Sequence, residues 1–185
     1  NAALEKIADA LIKNSAEILA ANKTDIENAE KKGTRKAMID RLTLTDARIA
    51  DMAEGVRQVA ALDDPIGKII DEWERPNGLK IAKKRVPIGV IGIIYEARPN
   101  VTVDAAVLCL KSSNAVILRG GSEAICSNKA IMKIMQDAAY SAGIPEGSMN
   151  IVEDTSRATA TELMKMNGYI DLLIPRGSAG LIRSV

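Results

Sequence analysis

Arginine keeps returning at the places where this sequence could do chemistry. Four apolar runs end in short polar segments: Glu96-Ala97-Arg98-Pro99-Asn100, Arg119-Gly120-Gly121-Ser122-Glu123, Glu153-Asp154-Thr155-Ser156-Arg157 and Pro175-Arg176-Gly177-Ser178-Ala179-Gly180. Each carries an arginine. A guanidinium recognises phosphate or carboxylate through paired, charge-assisted hydrogen bonds. In the second and fourth segments, glycines lead into helical stretches. There the backbone can approach a ligand closely, and a helix start favours an anion. The spacing predicts an anionic, phosphate-bearing ligand at this edge. Gly120-Gly121 taken alone also reads as a plain tight turn, and both readings stand.

Other chemistries are poorly represented. With no histidine, no imidazole can act as base, proton shuttle or metal ligand, and no metal site is expected. The two cysteines, Cys109 and Cys126, make neither a disulfide framework nor a thiolate cluster. Cys109 sits among Val107, Leu108 and Leu110 and reads as core. Cys126 lies near an expected helix start, a setting that can lower a thiol pKa, but no histidine partners it. Gly89 and Gly92 fall inside an apolar run with no third glycine opening a helix, so they read as close packing rather than a dinucleotide fingerprint.

The elements that must hold these segments alternate in type. Ile88–Tyr95, Ala115–Leu118, Met149–Val152 and Ile170–Ile174 are short apolar runs, as expected for strands buried on both faces. Helical stretches separate them: Pro99–Lys111, Glu123 to about Tyr140, and Ala158–Met166. This alternation predicts an α/β fold, a doubly wound, Rossmann-like parallel sheet with ligands outside the carboxyl ends of its strands. Residues 1–66 read as a helical segment. It carries Leu4, Ile7, Ala8 and Leu11 at helical spacing, a capping box at Asn14-Ser15-Ala16-Glu17, and a helix after Thr45 with Ile49, Met52, Ala53, Val56 and Val59 on one face. Residues 67–87 read as a β-hairpin around Arg75-Pro76-Asn77-Gly78. Residues 88–185 form the sheet region. Ser178–Val185 looks like the first turns of another helix, and the first residue is not Met, so the sequence reads as part of a longer protein.

Composition sets outer bounds. The 185 residues are 47% hydrophobic and 26% charged, which fits a folded domain rather than a disordered chain. A formal charge of +1 and aromatic content of 2% provide neither the field nor the stacking surfaces for nucleic acid. No long apolar run or signal-type leader is present, so no membrane partner and a cytoplasmic location are expected.

The segment Val86-Pro87-Ile88-Gly89-Val90-Ile91-Gly92-Ile93-Ile94-Tyr95-Glu96-Ala97-Arg98-Pro99-Asn100-Val101-Thr102 resembles the signature region of the gamma-glutamyl phosphate reductases, members of the aldehyde dehydrogenase superfamily. Lys111–Ala124 and Tyr169–Ser178 resemble the same family in order and spacing. The resemblance implies NADPH-dependent reduction of L-glutamate 5-phosphate to L-glutamate 5-semialdehyde with release of phosphate, a step of proline biosynthesis. It implies that Arg119, Gly120, Gly121 and Ser122 lie near the adenosine ribose of NADP(H). Ser122 stands where many NAD-preferring relatives carry an acid. Gly177 and Ser178 would face the pyrophosphate, and Arg98 or Asn100 would touch the acyl phosphate. It further implies a homo-oligomer, dimer or tetramer, assembled through the hairpin. Neither cysteine matches the family's nucleophile, so this chain contributes no catalytic residue and is expected to be inactive alone. Ser113 stands where the family usually has glycine. Two alternatives remain open: a free-standing nucleotide-binding or regulatory module, and the reductase half of a bifunctional kinase–reductase.

Overall fold

A computed structural model describes residues 1–184; Val185, the end of the last expected helix, lies outside the described residues. The chain opens with α1 (Ala2–Lys13), α2 (Ser15–Lys31), α3 (Lys36–Leu42) and α4 (Asp46–Ala61). The expected capping box does not form. Asn14 turns its side chain backwards, its Nδ2 donating to the Ala10 carbonyl at 2.7 Å, and α2 starts without a side-chain cap. By contrast, Thr45 caps α4 by accepting from the Arg48 amide at 3.2 Å. The short α3 has no counterpart in the sequence reading.

Strands β1 (Ile69–Glu74) and β2 (Lys80–Lys84) form the expected antiparallel hairpin, with Trp73 opposite Ile81 and Glu74 opposite Lys80. The sheet region then runs β3 (Val90–Tyr95), α5 (Pro99–Lys111), β4 (Ala115–Arg119), a 3₁₀ turn at Ser122–Ala124, α6 (Ile125–Ser141), β5 (Met149–Ile151), α7 (Arg157–Met164), β6 (Leu172–Arg176) and α8 (Ala179–Ser184). Glu123 therefore sits in the 3₁₀ turn rather than in the helix. The last strand starts two residues later than expected and keeps Pro175 inside it. Proline is tolerated there because β6 pairs only with β3, so one side of its backbone needs no partner.

All four strands of this sheet are parallel, in the order β5-β4-β3-β6. Winding from β3 to β5 proceeds in one direction, and β6 then returns to the other side of β3. That reversal makes the sheet doubly wound and puts its switch point between β3 and β6. One continuous core joins Leu4, Ile7 and Leu11 of α1 and Ile49 and Val56 of α4 to Ile93, Leu118, Met132, Met135 and Met149.

Buried polar pins align the helical segment. Asn22 donates to the Leu42 carbonyl at 2.9 Å and to Ser127 Oγ at 3.0 Å, and accepts from the Leu44 amide at 2.8 Å. Asp25 accepts from the Cys126 amide at 3.1 Å and from the Ser127 amide and hydroxyl at 2.7 and 2.6 Å, and so caps α6 from across the core.

Three helices end in the same way. After α2, α5 and α6, the residue following the cap is left-handed: Gly33 at φ 69°, Ser113 at φ 57° and Gly143 at φ 93°. Each motif closes with the paired amide-to-carbonyl bonds of a Schellman turn. At α5 these are Ser113 to Leu110 and Asn114 to Cys109, both 2.9 Å. Ser113 is the one non-glycine residue with positive φ among the described residues.

Candidate functional site

Parallel pairing places the arginines of the switch point by register. Arg119 is level with Ile94 across β3 and β4, and Arg176 is level with Tyr95 across β3 and β6. Three clefts meet at this edge.

The first, of about 530 Å³, has an apolar lining of Ile94, Ala160, Met164 and Leu181, with Arg119 and Arg157 beside it. Arg119 Nη2 donates to the carbonyls of Thr155 and, at 3.1 Å, Ser156, so the guanidinium ties β4 to the loop before α7. Its Nε is buried without a hydrogen-bond partner, a donor left over. Arg157, which the sequence reading placed at a strand end without a role, lines the same cleft.

Glu96 borders both this cleft and the next. Its carboxylate accepts from the Ser178 amide at 2.9 Å, and this bond leads the causes that hold its pKa below the ordinary glutamate value. A Cβ on Gly177 would lie 2.7 Å from the Glu96 carboxyl carbon, so glycine is needed for that approach. The amide assigned to a pyrophosphate by resemblance is thus taken by a carboxylate of the protein itself. Sequence reasoning did not single out Glu96. The anion-accepting start of α8 was legible, but its occupant was not.

The second cleft, about 390 Å³, is lined by Glu96, Arg98, Arg176, Gly177 and Ser178, with Arg41 reaching in from α3. The third, about 410 Å³, lies between the α3–α4 connection and the β3–α5 loop. It shares Arg41 and Arg98 with the second and adds Asn100, Asp51 and Asp104. The structure therefore brings Arg98 and Asn100 together with Ser178 and Gly177 around one edge. It separates Gly120, Gly121 and Ser122 from the clefts. Both glycines are buried: a Cβ on Gly120 would overlap Asn128, and one on Gly121 would lie 3.3 Å from the Ala97 amide. They let the β4–α6 turn approach the β3–α5 loop, while Ser122 is exposed at the start of the 3₁₀ turn.

The remaining candidates for reactivity are quiet. Tyr95 lies under the edge with its hydroxyl 2.6 Å from Thr102 Oγ1, which donates to Asn128 Oδ1 at 2.9 Å. Burial pushes its pKa up to about 12. Cys109 is core as expected, and burial pushes its thiol up to about 11. Cys126 does sit at a helix start, yet its thiol is raised rather than lowered. Burial comes first among the causes, followed by Asp25, whose carboxylate already occupies that helix end. Gly89 and Gly92 are packing glycines: a Cβ on Gly89 would overlap the Asp171 carboxylate, and one on Gly92 would lie 2.9 Å from Leu173. No group of three or more acidic or cysteine side chains able to hold a metal exists among the described residues.

Residues 4–185 match the model of the aldehyde dehydrogenase family. The chain belongs to that family. Over its whole length it is 60% identical to the gamma-glutamyl phosphate reductase of Clostridium novyi (strain NT), covering 44% of that protein. The crystal structure of gamma-glutamyl phosphate reductase from Thermotoga maritima superposes with a TM-score of 0.98 at 47% identity, over 100% of this chain and 44% of that one. The Saccharomyces cerevisiae gamma-glutamyl phosphate reductase gives 0.90 at 35% identity, over 98% and 46%. This aldehyde dehydrogenase-family chain thus spans less than half the length of these relatives. No helix among the described residues is long and apolar enough to cross a membrane.

Proposed function

We propose that this chain is the NADP(H)-binding part of a cytoplasmic, homo-oligomeric gamma-glutamyl phosphate reductase. That enzyme reduces L-glutamate 5-phosphate to L-glutamate 5-semialdehyde with release of phosphate, in proline biosynthesis. The observation that carries the reading is the meeting, at Glu96, of a nucleotide-sized cleft and an arginine-lined one. The similarity over the whole chain to proteins named for this reaction supports it.

The residues present suit a dinucleotide phosphate. An apolar slot walled by Ala160, Met164 and Leu181 accepts an adenine ring, and Arg119 with its unpartnered Nε and Arg157 supply donors for a ribose phosphate. NADPH, when bound, supplies the hydride. The protein's own part is to orient and to balance charge. Arg119 keeps the β5–α7 loop against β4, Ser178 offers its amide where Glu96 now sits, and Arg98 or Asn100 meets the acyl phosphate. A thioester step needs a thiolate that neither raised cysteine offers. The hairpin, with Ile69, Ile70 and Trp73 exposed, is the surface for assembly.

The test is turnover by the full gene product: NADP+ reduction with glutamate 5-semialdehyde and phosphate, or NADPH oxidation with glutamyl phosphate formed in situ. Absence of both reactions sinks the reading. NADPH binding without turnover would favour the second reading, a nucleotide-binding module, which the placement of Cys109 and Cys126 allows.

A further inference from the structure

The third cleft holds complementary charges that the fold leaves uncommitted. Arg48, also on its wall, is engaged: Nη1 donates to the Asp40 and Thr43 carbonyls, both at 2.6 Å, and Nη2 pairs with the Asp40 carboxylate at 3.4 Å. It serves to hold the α3–α4 connection in place. Arg41 and Arg98 have no hydrogen bond or ion pair within the protein, although both line the cleft. On the opposite side, Asp104 is partly buried on α5, with Asn100 Nδ2 donating to its Oδ2 at 3.2 Å and no cation bonded to it. Nothing in the core explains why two guanidiniums and a half-buried carboxylate face one pocket of about 410 Å³. Burying such groups unpaired is costly, so a ligand carrying both charges would be favoured there.

The clefts also have an order. The nucleotide cleft shares Glu96 with the Arg176–Ser178 cleft, and that cleft shares Arg41 and Arg98 with the third. We propose that the third cleft recognises the amino-acid headgroup of the substrate. Arg41 and Arg98 take the α-carboxylate, and Asp104, oriented by Asn100, takes the α-ammonium. The acyl phosphate of the same molecule then extends past Arg98 toward Arg176 and Ser178. The inference rests on the reductase reading and adds its specificity: the substrate class is an α-amino acid, recognised as a zwitterion. Arg41 becomes a specificity residue contributed by the N-terminal helices.

The experiment compares glutamate 5-semialdehyde with butanal, which lacks both headgroup charges, in NADP+ reduction by the full gene product. In Arg41→Ala and in Asp104→Asn, the KM for the semialdehyde should rise about tenfold or more, as expected for loss of a charged hydrogen bond. The preference for the semialdehyde over butanal should fall by the same factor, while the KM for NADP+ stays put. Arg41→Lys should recover part of the preference. A preference that does not move in either variant overturns the proposal, as does a rise in KM shared by both aldehydes. Should Asp104→Asn fail to fold, Arg41→Ala decides alone, since Arg41 is exposed. If the unmodified protein turns over neither aldehyde, the reductase reading fails separately. Calorimetric titration with L-glutamate, glutarate and 4-aminobutyrate then tests the cleft itself. Tighter binding of L-glutamate that Arg41→Ala abolishes supports it, and equal or absent binding overturns it.

Discussion

Ser113 should be the easiest place to make this protein more stable. It occupies the left-handed position of the Schellman turn that ends α5, at φ 57°, where its Cβ crowds the backbone. A non-glycine residue there costs roughly 1–2 kcal/mol. Replacing it with glycine returns that strain but gives the unfolded chain about 0.4–1 kcal/mol more entropy to lose. The exposed Ser113 hydroxyl makes no hydrogen bond in the protein, so nothing else is lost. The net expectation for Ser113→Gly is a gain of about 0.5–1 kcal/mol, or about 1–4 °C in Tm for a chain of this size. Two internal controls exist. Gly33 and Gly143 fill the equivalent positions after α2 and α6, at φ 69° and 93°, and a Cβ at either meets nothing within 4 Å. Gly33→Ser and Gly143→Ser should each lose about what Ser113→Gly gains, for backbone reasons alone. Thermal and urea unfolding of the four proteins gives the answer. A Ser113→Gly protein no more stable than its parent, or a neutral Gly143→Ser, would refute the strain argument.

At the nucleotide cleft, Arg119→Ala should weaken NADPH binding by about 1.5–3 kcal/mol, the cost of a lost charged hydrogen bond. An unchanged fluorescence titration would remove Arg119 from the site. The raised thiols predict slow alkylation at neutral pH: Cys126 should react sluggishly, and Cys109 only on unfolding, since burial holds it at about 11. Rapid labelling of either cysteine in the folded protein would contradict this. Asp104 predicts a pH effect. Burial, the larger influence, raises its pKa above 3.8 against the opposing pull of Arg176, so in the window just above 3.8 the folded state holds more protons than the unfolded state. Stability from this group therefore falls as pH rises through that window. Asp104→Asn should match its parent at about pH 3 and exceed it at about pH 7, and urea midpoints showing the reverse order would refute the assignment.

Much of this was legible before any coordinates. Strands buried on both faces must be apolar throughout, so β3, β4 and β5 stood out as runs, and the hairpin announced itself through Asn77-Gly78. Parallel strands joined by helices have few topologies, so the edge carrying Arg98, Arg119, Arg157 and Arg176 followed from chain order alone. Ser113 was marked by residue type, and its φ confirms the strain.

What stayed hidden depends on contacts between distant residues. Helix α3 is seven residues long and holds its place through Leu42, which is buried against Ala29 and Ala124 and whose carbonyl accepts from Asn22. No periodicity could reveal it, and with it Arg41 went unseen. Cys126 sits at a helix start, which should activate a thiol, but Asp25, 101 residues earlier in the chain, already caps that end and raises the thiol instead. Ser178 offers its amide to an anion as its sequence suggests, and Glu96, 82 residues away, supplies the anion. Local sequence determined which elements form and which edge carries charge, because propensity and burial act over a few residues. Only the tertiary structure decided which of those charges are already satisfied, because an electrostatic partner is chosen by proximity in space.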